Sequence, residues 1–232
     1  MTLPDGSVDS SISEEDRVAS ALRGFGPLGI LAILVILAGN FLVAPLSAIL
    51  VLVWVRLSRT PWREIGYVRP KSWIRSIAIG VAFGCVFKLV MKAMVMPLLG
   101  APPINAPYHY LAGNTAALPG MLLTLIIVAG FGEETLFRGW MFERLGKLLG
   151  STLWARTFIV LLTSLWFASL HYKDQGLAGL EQAIFTGLAF GTIFAIRRRI
   201  FMLMVAHVAF DIAALALIYW DIESEVAHLI FK

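Results

Sequence analysis

Long apolar stretches alternate along this chain with short loops rich in arginine, proline and tryptophan. The first apolar run is Pro27 to Val55, with Asn40 and Pro45 inside it. It exceeds the roughly 20 residues that cross a bilayer, which predicts one tilted or kinked transmembrane helix. A basic loop follows from Arg56 to Arg75, and a second span is expected over about Trp73 to Leu99. The segment Gly100 to Ala117 carries prolines and glycines and reads as a loop outside the membrane. A third span begins near Leu118 and continues amphipathically to about Leu149. Three more are expected at Thr152 to Tyr172, about Leu177 to Ile196, and about Ile200 to Trp220. Gly187 and Gly191 form a GxxxG in the fifth span, a spacing that permits close helix packing.

The pattern divides the chain into four parts. Residues 1–24 are polar and net acidic and read as a disordered tail, not as a signal peptide. Residues 25–117 hold the first membrane helices and loops, 118–220 a helical core, and 221–232 a C-terminal tail. The fold class expected is all-α: a polytopic transmembrane bundle of about six to eight helices.

Composition agrees. Of 232 residues 59% are hydrophobic and only 15% charged, whereas a soluble domain is nearer a quarter charged. The net charge of +4 does not point to nucleic acid, because the basic residues sit in short loops without an aromatic-interleaved groove. Thirteen of the 19 Lys and Arg fall in the loops after the first, third and fifth spans. With six spans these loops share one side, which the positive-inside rule makes cytoplasmic, with both termini outside. The expected location is a multi-pass protein of the plasma membrane. The single cysteine, Cys85, reads as a small buried hydrophobe.

Against this background several polar residues stand out, because each is costly inside a bilayer. The stretch AGFGEETLFRGW, Ala129 to Trp140, holds Glu133, Glu134 and Arg138. Glu134 and Arg138 are four apart and share a helix face, an ion pair that lowers the burial cost. Glu133 is turned about 100° away and has no partner in its own helix. Phe167 and His171 share a face, so the ring could wall and orient the imidazole. His207 and Asp211 are also four apart, and Asp211 could fix the tautomer of His207 or hold it protonated. Lys88 and Lys92 share a face and either snorkel or line a watery cavity. Glu181 reads as interfacial. A carboxylate, two histidines and an aspartate in one bilayer are most economically satisfied by one shared polar cavity.

Such a cavity suits hydrolysis. Glu133 could act as general base on water, and His171 could orient that water or carry a proton. His207 could stabilise an oxyanion, with Asp211 holding it in place. Alternatively Glu133, His171 and His207 could ligate a zinc ion with water as fourth ligand. There is no HExxH, no GxSxG or serine–lysine nucleophile, and no GxGD.

EETLFRG, FASLH and HVAFD, in that order, resemble the EExxxR, FxxxH and HxxxN/D motifs of the CPBP family. This is the CAAX-protease and bacteriocin-processing (Abi) group of intramembrane endopeptidases, which includes the Ras-converting CAAX endopeptidases. The resemblance spans roughly Leu118 to Tyr219. It implies a helix bundle with an intramembrane catalytic cavity and a peptide or protein substrate, membrane-bound or lipidated. It implies Glu133 as the water-activating residue, His171 assisting, His207 near the oxyanion, and Glu134 and Arg138 shaping the site. The family is labelled metalloprotease, so zinc and a metal-free glutamate mechanism both stand. Asp211 departs from the asparagine of many members. An ionised aspartate cannot donate to an oxyanion, so orienting His207 or binding metal is its expected role. Two other functions fit a buried polar cavity: a non-catalytic membrane adaptor or immunity protein of the same fold, and an ion-coupled transporter. The transporter ranks last because no inverted repeat is visible.

Depth poses a question. On straight spans Glu133 and His171 would lie roughly 20–27 Å from the cytoplasmic helix ends and His207 only about 10–12 Å. They meet only if helices are broken, tilted or shifted; Gly130 and Gly132 offer a break.

Overall fold

The computed structural model describes residues 13–42 and 45–231. All regular elements among them are helical. The main ones are α1 (Glu14–Arg23), α2 (Pro27–Leu42), α3 (Leu46–Leu57), α4 (Trp73–Leu98), α5 (Thr115–Leu149), α6 (Leu153–Arg197), α7 (Phe201–Tyr219) and α8 (Glu223–Ala227). Four of these, α4 to α7, are long and apolar enough to cross a membrane. Their outward faces carry exposed leucines, isoleucines and valines, as lipid contact requires.

Two expectations about the N-terminal part are corrected. Pro27 to Val55 is not one kinked span. It forms the two helices α2 and α3, which pack on one another: Ser47 Oγ donates to Ile36 O at 2.9 Å, and Gly39 lies against Leu50 and Ser47. At 16 and 12 residues, each is shorter than a bilayer-crossing helix. The polar start, read as a disordered tail, is helical over α1. Ser13 caps it through Asp16 N, and acidic residues occupy its first turn, where the helix dipole favours them. Residues 1–12 of that tail lie outside the described residues.

The hairpin changes the parity of the topology. Arg59, just after α3, bonds Glu15 and Asp16 of α1, and Trp54 Nε1 donates to Leu22 O at 3.0 Å. The N-terminal helix therefore lies on the same side as the basic loop 56–75, not opposite it. Lys147 pairs with Glu64 at 3.1 Å and Arg198 donates to Glu64 O, so the basic segments after α5 and α6 reach that side too.

α6 runs 45 residues, roughly twice the length that spans a bilayer. It folds back at Gly176, whose φ of 63° and ψ of −155° lie outside the helical region and suit glycine. Its limbs, residues 153–175 and 177–197, correspond to the fourth and fifth expected spans. The GxxxG joins them: Gly187 sits on Ser164 and Gly191 on Val160.

α4 and α7 pack closely. A Cβ on Gly84 would lie 2.2 Å from Ala206 O and 2.9 Å from Ala209 Cβ, so only glycine permits this approach. Lys88 and Lys92 of α4 do not snorkel: they are buried, Lys88 donating to Gln182 Oε1 at 2.7 Å and Lys92 to Glu223 Oε1 at 2.8 Å and Pro103 O at 2.7 Å. These bonds tie the 100–117 loop and α8 to the bundle at the face opposite the basic loops.

Candidate active site

The site forms where α5, α6 and α7 meet. From Leu125 to Trp140 the backbone of α5 is a wide helix with i→i+5 hydrogen bonding, a geometry uncommon except at functional sites. It keeps Glu134 and Arg138 on one face, as the α-helical spacing predicts. Arg138 Nη1 lies 2.9 Å from Glu134 Oε1, and the two side chains are 2% and 0% exposed. The guanidinium also stacks on Phe167 (4.6 Å) and approaches Phe190 (5.5 Å), so a buried cation is held by one carboxylate and two aromatic faces.

The partner of His207 is Glu134. His207 Nδ1 donates to Glu134 Oε1 at 2.8 Å; a carboxylate there can only accept. Asp211 does not hold Nδ1. It stands on the other edge of the ring, with Oδ2 3.7 Å from Nε2, so the expectation that it fixes the tautomer is corrected. The i, i+4 spacing brings Asp211 near the ring without choosing the nitrogen, and Glu134 from the neighbouring helix takes Nδ1 first. Glu133 Oε2 lies 3.6 Å from the same Nε2. Glu133 and Asp211 are each 24% exposed, against 7% for His207 and 0% for Glu134. The two carboxylates thus face a crevice and the other two groups form its floor.

His171 is arranged as expected from FxxxH. Its ring lies 4.5 Å from that of Phe167, and Nδ1 donates to Phe167 O at 2.9 Å, leaving Nε2 unbonded. Phe167 also meets His207 edge-on at 6.0 Å, so one ring separates the two imidazoles. Phe190 gives His207 a second aromatic wall at 5.4 Å. The sequence reading missed it, because an aromatic in an apolar span carries no polar signal. It also missed Thr135, fully buried, whose hydroxyl is 2.7 Å from that of Tyr67 in the basic loop. Glu181 has no contact with this cluster among the described residues.

The depth question has a physical answer. The end of α5 runs on into the basic face, where Arg144 donates to Arg23 O and Lys147 pairs with Glu64. The distance to Glu133 is therefore not counted from Leu149. Gly139 lies against Ile200, and Gly130 against Val208 and Met204, so α5 and α7 run antiparallel in register. Glu133 is six residues before Gly139 and His207 seven after Ile200, which puts both at one level without a broken helix.

The zinc alternative needs Glu133, His171 and His207 on one ion. Among the described residues no group of three or more His, Cys, Asp or Glu side chains converges in that way. Nδ1 of each histidine is engaged, which leaves each Nε2 open, and the ring of Phe167 contacts both imidazoles. As placed among the described residues, these side chains do not form a three-ligand set.

Residues 115–213 match the family model described as Type II CAAX prenyl endopeptidase Rce1-like. The matched segment contains all three motifs and every residue of the crevice. The helical core of the chain is similar to the CAAX-protease family. That family comprises membrane endopeptidases acting on protein substrates, and the apolar helices of this chain are those of a multi-pass membrane protein. No curated protein and no solved structure matches the chain.

Proposed function

We propose that this protein is an intramembrane endopeptidase that cleaves a peptide bond with a water activated by Glu133, without a metal. The observation that carries the reading is the division of labour around His207. Glu134 holds Nδ1, which leaves Nε2 facing the crevice beside Glu133.

Water enters next to the Glu133 carboxylate, which takes its proton as the oxygen attacks the substrate carbonyl carbon. The resulting oxyanion accepts a hydrogen bond from Nε2–H of His207 in its imidazolium form, which donates from Nδ1 to Glu134 and from Nε2 into the crevice. The C–N bond then breaks, and the proton held by Glu133 passes to the leaving amine. His171, donating from Nδ1 to its own helix, has Nε2 available to relay that proton. Arg138 pairs with Glu134 and so fixes the carboxylate that orients His207. The substrate is a peptide or protein segment delivered from the bilayer, and lipidation would bring it there. We read the basic face as cytoplasmic.

The test uses purified protein in detergent with a library of quenched peptides, lipidated and not. Wild type should cleave and Glu133→Gln should not, at unchanged helical content, and a zinc chelator should leave wild type active. Cleavage by Glu133→Gln at the wild-type rate would remove Glu133 from the chemistry.

A further inference from the structure

A second cavity lies at the basic face, with Arg156 11 residues before Phe167 on one limb of α6 and Arg198 eight after Phe190 on the other, and it contains no residue of the three motifs. It encloses about 420 Å³ and opens between the end of α5 and the two ends of α6. Its charged lining consists of Glu64, Glu143, Lys147, Arg156 and Arg198. The carboxylates are already neutralised. Glu143 bonds Arg144 through both oxygens and Lys147 at 2.6 Å, and Glu64 pairs with Lys147 at 3.1 Å. Arg156 and Arg198 have no ion pair among the described residues. Arg198 donates only to a neutral acceptor, the carbonyl of Glu64.

Three further observations bear on these arginines. Arg198 closes α6 with φ 51° and ψ 37°, a left-handed cap that glycine or asparagine occupies at less steric cost. Burial lowers the pKa of its guanidinium, and the nearby charge of Arg156 lowers it further, against Glu143 and Glu64. An arginine thus stands, exposed, where backbone and neighbour both disfavour it. Third, Ile196 lines the cavity and Leu153 and Trp154 lie just before Arg156 on the same helix; they are 72%, 78% and 84% exposed, as anchors at a membrane–water boundary are.

We infer that this cavity binds an anionic phosphate group between Arg156 and Arg198. Two guanidiniums match phosphate oxygens by paired N–H donors. The first turn of α6 opens on the same cavity, capped by Thr152, and adds the positive end of a helix dipole. The group can arrive as the headgroup of an anionic phospholipid, whose chains would run down the exposed apolar face at Trp154 and Ile196, or as free phosphate.

The test reconstitutes the full chain in nanodiscs of phosphatidylcholine with and without phosphatidylglycerol, and separately adds inorganic phosphate. Bound lipid is counted by native mass spectrometry and stability by thermal unfolding. The variants are Arg156→Gln and Arg198→Asn; asparagine tolerates the left-handed cap, so loss of fold is not expected. Wild type should retain phosphatidylglycerol over phosphatidylcholine, with binding falling about fivefold for each arginine removed, and Arg156→Lys should keep most of it. Stabilisation by inorganic phosphate but not by the lipid would keep the anion site and assign it to free phosphate. Equal retention of both lipids with no effect of phosphate, or an undiminished preference in the double variant, would overturn the inference.

Discussion

Glu134, fully buried, accepts a hydrogen bond from Nδ1 of His207 at 2.8 Å and stands 2.9 Å from Arg138. One carboxylate oxygen thereby joins the first and third sequence motifs across two helices. The bond decides which nitrogen of His207 faces the crevice and, with the ion pair, makes Glu134 the hub of a buried network.

Removing the hub should cost stability as well as activity. Glu134→Ala would leave Arg138 as an uncompensated buried charge and His207 Nδ1 without an acceptor, a loss of about 3–5 kcal/mol. Thermal unfolding in detergent measures it. A midpoint equal to wild type would show that the network contributes nothing to the fold.

Asp211 is not the group that orients His207, so its neutral isostere should be tolerated. Asp211→Asn is expected to retain cleavage, while His207→Ala and Glu133→Gln abolish it. Comparing kcat and KM for the three variants on one peptide decides this. A loss with Asp211→Asn as large as with Glu133→Gln would require a direct role for the aspartate charge.

The α4–α7 contact should not admit a side chain at Gly84. Gly84→Ala forces a methyl against Ala206 O and Ala209, and overpacking of this kind costs about 1–3 kcal/mol. The same change at Gly146, where nothing lies within 4 Å, should be neutral. Paired unfolding curves give the difference directly.

Tyr67 offers a pH signature outside the membrane-spanning helices. Burial raises its pKa above the ordinary 10.0, opposed in part by its bond to Thr135. A raised pKa means the folded state binds the phenolic proton more tightly. The contribution is complete below pH 10 and is lost as pH rises through the folded value. Unfolding midpoints between pH 9 and 11 should therefore fall more steeply for wild type than for Tyr67→Phe. Parallel profiles would refute the assignment.

Much of this protein was legible in the sequence because two signals are local. Bilayer thickness fixes how long an apolar run must be, so α4 to α7 and the division of α6 into two limbs follow from hydropathy. Helical period fixes which residues share a face, so Glu134 with Arg138 and Phe167 with His171 follow from spacing of four. The cost of burying charge then implies that these residues gather in one cavity.

Only the tertiary structure decided the rest. Pro27 to Val55 is long enough to cross once or to fold back, and the contacts of Ser47 with Ile36 and of Arg59 with α1 select the hairpin. Lys88 and Lys92 could have snorkelled, but Gln182 and Glu223 lie within reach only after distant segments have packed. His207 has a carboxylate four residues on in its own helix, yet its Nδ1 bonds Glu134, 73 positions away. Spacing along one helix sets which side chains are neighbours; the register between helices, set here by Gly130 and Gly139 on α7 and Ile200, sets which atoms meet.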